Sequence, residues 1–163
     1  MQNIVYNYFF INSISEGKMK NQFLFITLLA VSGNVLAACP GNTKTVFSCT
    51  TANNKTIQVC DAGKSISYSF GKASSPELSI AVPRNRVTTQ QWNGIGRHMS
   101  YSVNIPNGNT VYSVFNTVDK FQEYSGSGVE VIQNRKLLAT VKCSESKKIV
   151  NNIEGINLKN ADE

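Results

Sequence analysis

Over most of the chain from Thr43 to Cys143, side chains alternate between apolar and polar residue by residue, a period that few folds can satisfy. Ile66, Tyr68 and Phe70 alternate with Ser65, Ser67 and Ser69. Leu78, Ile80 and Val82 alternate with Ser79 and Ala81, and Met99, Tyr101, Val103 and Ile105 with Ser100, Ser102 and Asn104. Successive residues of a strand point to opposite faces, so each run reads as a strand with one face toward a core. With Thr43–Thr51, Thr56–Cys60, Thr110–Asn116, Val129–Gln133 and Lys136–Cys143, the pattern predicts eight short strands. Turn sequences join most of them, above all Asp61-Ala62-Gly63-Lys64, Pro106-Asn107-Gly108-Asn109 and Asn134-Arg135. Pro83 ends its strand because it has no N–H to donate. No segment is long enough for a helix that crosses between parallel strands. The expectation is an all-β domain, an eight-stranded antiparallel barrel or closed sandwich, because closure removes exposed strand edges.

Side-chain parity sorts the four cysteines. Cys49 shares a face with Phe47, and Cys143 shares one with Leu137, Ala139 and Val141, so both point inward. Ile57 and Val59 take the inward positions of the second strand, which turns Cys60 outward and argues against a Cys49–Cys60 bridge. Cys49–Cys143 would pin the first strand to the last and so close a barrel. Cys39 and Cys60 remain and are free to pair with each other.

The ends of the chain are read separately. Residues 1–18 show no period and are expected to be a start-site artefact, with translation beginning at Met19. Lys20, the apolar run Phe23–Val31 and the small residues to Ala38 have the anatomy of a secretory signal peptide, giving 19–38 as signal and 39–143 as the domain. Leu36-Ala37-Ala38-Cys39 also fits a bacterial lipobox, so Cys39 is either lipidated, which would hold the protein at a membrane, or disulfide-bonded in a protein released to the periplasm or medium. Residues 144–163 are polar, with Ile149, Ile153 and Ile156 loosely spaced, and read as a poorly ordered tail. Without residues 1–38 the chain has 14 basic against nine acidic side chains, a net +5. The basic residues are scattered rather than striped, which argues against nucleic acid.

One long connection breaks the strand pattern. Val82–His98 holds three of the four arginines, the only tryptophan and the only histidine. Arg84, Arg86, Gln91, Trp92 and Arg97 are therefore the first candidates for contact with a protein partner, since Trp and Arg dominate binding hot spots. The Val118–Gly128 loop, with Phe121, Tyr124, Ser125 and Gly126, is the second. Catalytic chemistry finds little footing. A single histidine excludes multi-histidine metal sites, the carboxylates Asp119, Glu123 and Glu130 lie on or beside a polar loop, and Gly94-Ile95-Gly96 does not sit between a strand and a helix. No cofactor and no metal are expected.

A small exported domain of eight antiparallel strands, with Phe47-Ser48-Cys49 near its first strand and Ala139-Thr140-Val141-Lys142-Cys143 ending its last, resembles the periplasmic and membrane-bound inhibitors of c-type lysozyme. The resemblance covers roughly residues 45–143 as architecture. It implies a disulfide between the Cys49 and Cys143 positions and a Ser-Gly-x-x-Tyr segment that enters the lysozyme cleft. Ser125-Gly126 matches the first two positions of that segment, and its tyrosine is missing. The cationic charge also opposes approach to a basic lysozyme. The expected function is a non-enzymatic binding protein of the bacterial envelope that blocks a lysozyme or another cell-wall hydrolase with a loop. The alternatives are a barrel carrying a small apolar ligand and a structural envelope protein.

Overall fold

The computed structural model describes residues 39–121 and 125–161, and these are all-β. In chain order the strands are β1 (Lys44–Thr50), β2 (Thr56–Asp61), β3 (Ser65–Lys72) and β4 (Ser75–Pro83). A single 3₁₀ turn, Arg84–Arg86, leads to β5 (Thr88–Gln90), β6 (His98–Asn107), β7 (Thr110–Asp119), β8 (Ser125–Gln133) and β9 (Lys136–Lys142). Two short strands close the chain, β10 (Val150–Asn151) and β11 (Lys159–Asn160). The segments expected to be a start-site artefact and a signal peptide, and Tyr124, lie outside the described residues.

The strands form two sheets, in the orders β10-β1-β2-β3-β4 and β11-β5-β6-β7-β8-β9. Every pairing is antiparallel except β11 with β5. The expected barrel closed by a disulfide is therefore corrected to two separate sheets, and no ladder joins one to the other among the described residues. The tail occupies the edges that closure would need. β10 pairs with β1 at Phe47 and Ser48, and β11 pairs with β5 at Thr88 and Thr89. Cys49 does bond to Cys143, with Cα atoms 5.8 Å apart. It ties β1 of the first sheet to the residue after β9 of the second, beside an isolated bridge between Thr51 and Cys143.

The apolar faces meet between the sheets. Phe47, Ile57, Ile66 and Tyr68 from the first and Val103, Ile105, Val114 and Val129 from the second lose essentially all contact with solvent. Each such side chain contributes roughly 1.5–3 kcal/mol on burial. Tyr68 and Tyr112 stack across the interface with ring centroids 5.0 Å apart. An apolar ligand inside the fold would have to displace these side chains, so the carrier reading loses the space it needs.

Parity holds for Cys60, which lies on the face opposite Val59 and bonds to Cys39 with Cα atoms 5.7 Å apart. That bond uses the sulfur that a lipid would need, which removes the lipidated form of Cys39. Parity fails in β9. Val131 pairs with Ala139 but Ile132 pairs with Leu137, so Leu138 is a bulge that reverses the facing of everything before it. Leu137 thus joins Ile132 on the outer face instead of pointing inward, while Ala139 keeps the facing of Val131 and is nonetheless exposed.

The described part of the tail, residues 144–161, packs onto the two sheets, against expectation. Ile153 is fully buried within the core. Gln91 clamps the chain around it, donating from Nε2 to the Ile153 carbonyl at 3.1 Å while its Oε1 accepts from the Gly155 N–H at 2.9 Å. Arg84 donates to the Asn157 carbonyl at 2.8 Å.

Candidate functional site

The long connection is not one surface. Thr88 pairs with Asn104 and Gln90 with Ser102, so β5 runs toward the start of β6. Arg84 and Arg86 consequently sit at the end of the second sheet that carries the Asn107–Thr110 turn. Trp92 and Arg97 sit at the other end, where His98 lies opposite Asp119.

At that second end two loops meet. The first, residues 91–97, folds back on itself through two bonds: Trp92 Nε1 donates to the Ile95 carbonyl at 2.8 Å, and the Ile95 N–H donates to Asn93 Oδ1 at 3.1 Å. Gly94 and Gly96 take φ values of 88° and 91°, a region that side-chain-bearing residues adopt only under strain, and this permits the tight reversal. The Lys120 N–H donates to the Arg97 carbonyl at 3.2 Å, tying this loop to the one that follows β7.

Arg97 completes the tie. Its Nε donates to both Asp119 carboxylate oxygens, at 2.8 and 2.7 Å, and its Nη2 lies 2.6 Å from Oδ2. Asp119 also accepts from the Phe121 N–H at 2.9 Å, while His98 Nδ1 stands 3.8 Å away. The guanidinium, helped by the Phe121 N–H and opposed by burial, holds the Asp119 carboxyl down at about 2. The ammonium of Lys120 lies 3.8 Å from the centre of the Trp92 ring, and the Arg97 guanidinium is 5.7 Å from that of Phe121.

Two large apolar side chains project from this braced rim. Ile95 is 77% exposed and Phe121 78%. The arrangement offers two apolar knobs beside two cations, on loops fixed to each other. His98 is largely open to solvent, and among the described residues no three side chains group as metal ligands.

The structure redistributes the expected site. Trp92 and Arg97 belong to the rim, but Trp92 packs partly against the core and Arg97 is spent on Asp119. Gln91 faces the tail, and Arg84 forms an ion pair with Asp61 and serves the fold. Arg86 is exposed at the far end. Ser125 opens β8 opposite Val118, and Gly126 pairs with Thr117, so the start of β8 adjoins the same rim. The two candidate loops, separate in sequence, are thus neighbours. Lys120 and the anchoring role of Asp119 were missed, although a signal existed. Counting outward from the Asn107–Thr110 turn places His98 opposite Asp119. The chain matches no protein-family model, no curated protein and no solved structure.

Proposed function

We propose that this protein is a non-enzymatic binding domain of the bacterial envelope that docks a protein partner through the rim formed by Trp92, Ile95, Arg97, Lys120 and Phe121. A cell-wall hydrolase of the lysozyme type is the candidate partner. The observation that carries this reading is the exposure of Ile95 and Phe121 on loops locked together by Arg97 and Asp119. Exposed apolar side chains on a fixed frame lose little conformational freedom on docking, which is the condition for a strong anchor. Glycoside hydrolases hold paired carboxylates in their clefts. Phe121 entering such a cleft, with Lys120 and Arg97 beside it, would exclude substrate by occlusion. Two disulfides fit a chain that matures outside the reducing cytoplasm. With 14 basic against nine acidic side chains from residue 39 onward, the protein should favour hydrolases whose contact face is acidic.

The test is inhibition of c-, g- and i-type lysozymes and of acidic cell-wall hydrolases, with binding measured in parallel. Ile95→Ala and Phe121→Ala should weaken both readouts and leave thermal stability unchanged. Absence of binding to every one of these enzymes would remove the hydrolase reading.

A further inference from the structure

The outer face of the second sheet holds a groove of about 430 Å³ that the rim does not use, within the range of small-ligand sites. Strand register explains its layout. Thr88, Asn104, Ser113 and Glu130 stand side by side across β5, β6, β7 and β8. Pro106, Val111 and Ile132 form a parallel apolar row beside them.

The middle of the polar row is already satisfied and stiff. Ser113 Oγ donates to Asn104 Oδ1 at 2.7 Å, and Asn104 Nδ2 donates to Thr88 Oγ1 at 3.4 Å. The two flanks differ. Arg86 borders the groove on the β5 side and Glu130 on the β8 side, and neither has an ion pair or side-chain hydrogen bond among the described residues. A groove with a stiff floor, one row polar and internally satisfied and the other apolar, and with free charges of opposite sign at its two sides selects a ligand that is itself dipolar along its length.

We propose that this groove binds a short peptide with both termini free, its carboxylate at Arg86 and its ammonium at Glu130. Three strand spacings separate the β5 and β8 backbones, about 14 Å. Arg86 and Glu130 line the two margins, and with about 3 Å for a hydrogen bond at each end the separation leaves roughly 8 Å, within the ~10 Å reach of an extended tripeptide. Its side chains would lie on Val111 and Ile132, while guanidinium and carboxylate form charge-assisted hydrogen bonds with the ends.

Titration of the purified protein with trialanine, followed by amide NMR shifts and calorimetry, tests this against N-acetylated and C-amidated trialanine. Trialanine should shift Val111, Ser113 and Glu130 amides, and blocking either end should weaken binding about tenfold. Arg86→Ala should erase the penalty for C-amidation alone, and Glu130→Gln the penalty for N-acetylation alone. Both residues lie on the surface, so retained amide spectra in the variants exclude unfolding as the cause. Equal binding of free and blocked peptides, no shifts at millimolar peptide, or variants that lose both penalties together would each overturn the proposal.

Discussion

The guanidinium of Arg97 holds both carboxylate oxygens of Asp119, and this one contact joins two loops that are 22 residues apart in the chain. It spends the charge of Arg97 inside the protein and leaves Lys120, Ile95 and Phe121 as the groups offered to a partner. The rim is thus a frame with projections rather than a cluster of free arginines.

Acid should dissolve that frame in a definable window. The Asp119 carboxyl ionises at about 2 in the folded protein, below its ordinary 3.8. A lowered folded value means that the contribution to stability is complete above 3.8 and is lost as pH falls through about 2. Asp119→Asn should melt below the wild type at pH 6, and the gap should shrink steadily from pH 4 to pH 2. Melting temperatures across pH 2–6 check this, and a gap that does not change with pH would contradict it.

The two disulfides should differ in worth. Cys49–Cys143 spans 94 residues and Cys39–Cys60 spans 21. Loop-closure entropy assigns about 4–5 kcal/mol to the first and about 3 kcal/mol to the second. Urea unfolding of the two double Cys→Ala variants should show Cys49→Ala/Cys143→Ala as the less stable.

Ile153→Ala should cost about 2–5 kcal/mol, the range for emptying a buried isoleucine site. Ile156→Ala, only partly buried, should cost clearly less. Equal and negligible losses in chemical denaturation would mean that the tail is not part of the core.

The turn between β8 and β9 carries an improvable residue. Asn134 and Arg135 both have positive φ, 50° and 65°, in the two-residue loop between Gln133 and Lys136. Arginine is strained there by about 1–2 kcal/mol, whereas Asn-Gly suits such a turn. After the extra chain entropy of glycine is subtracted, Arg135→Gly should stabilise the domain by roughly 0.5–1 kcal/mol. A higher midpoint in urea with the slope unchanged is the expected result.

The legible parts of this chain are those whose physics is local. Alternation at Ile66, Tyr68 and Phe70, or at Tyr101, Val103 and Ile105, marks a strand wherever it falls, and the same alternation pointed to Cys49–Cys143 while leaving the state of Cys39 open. β5 has only Thr88, Thr89 and Gln90, too few residues to show a period. Its absence from the sequence reading made Arg84 and Arg97 look like one surface, when β5 carries the chain from one end of the sheet to the other. The inward assignment of Leu137 failed because one bulged residue, Leu138, reverses parity without any compositional trace. The tail was opaque for a different reason. Its attachment runs through backbone pairing with β1 and β5 and through the Gln91 amide, none of which is a property of residues 144–163 themselves.

Gly128 shows how tightly the second sheet is drawn at the foot of the rim. A Cβ there would overlap the Val141 carbonyl, so even Gly128→Ala should force β9 away from β8 beside Cys143. A protein with wild-type midpoint and unchanged amide spectra after that substitution would contradict the close approach.

The placement of Ile153 also sets the timing of folding. Phe47 and Ile57 are synthesised early, but the core they belong to is incomplete until a residue about a hundred positions later arrives between the sheets. Contacts of such long range form slowly, and the early strands cannot settle first and wait. A nascent chain of this design should complete its core only when nearly all of it has been synthesised.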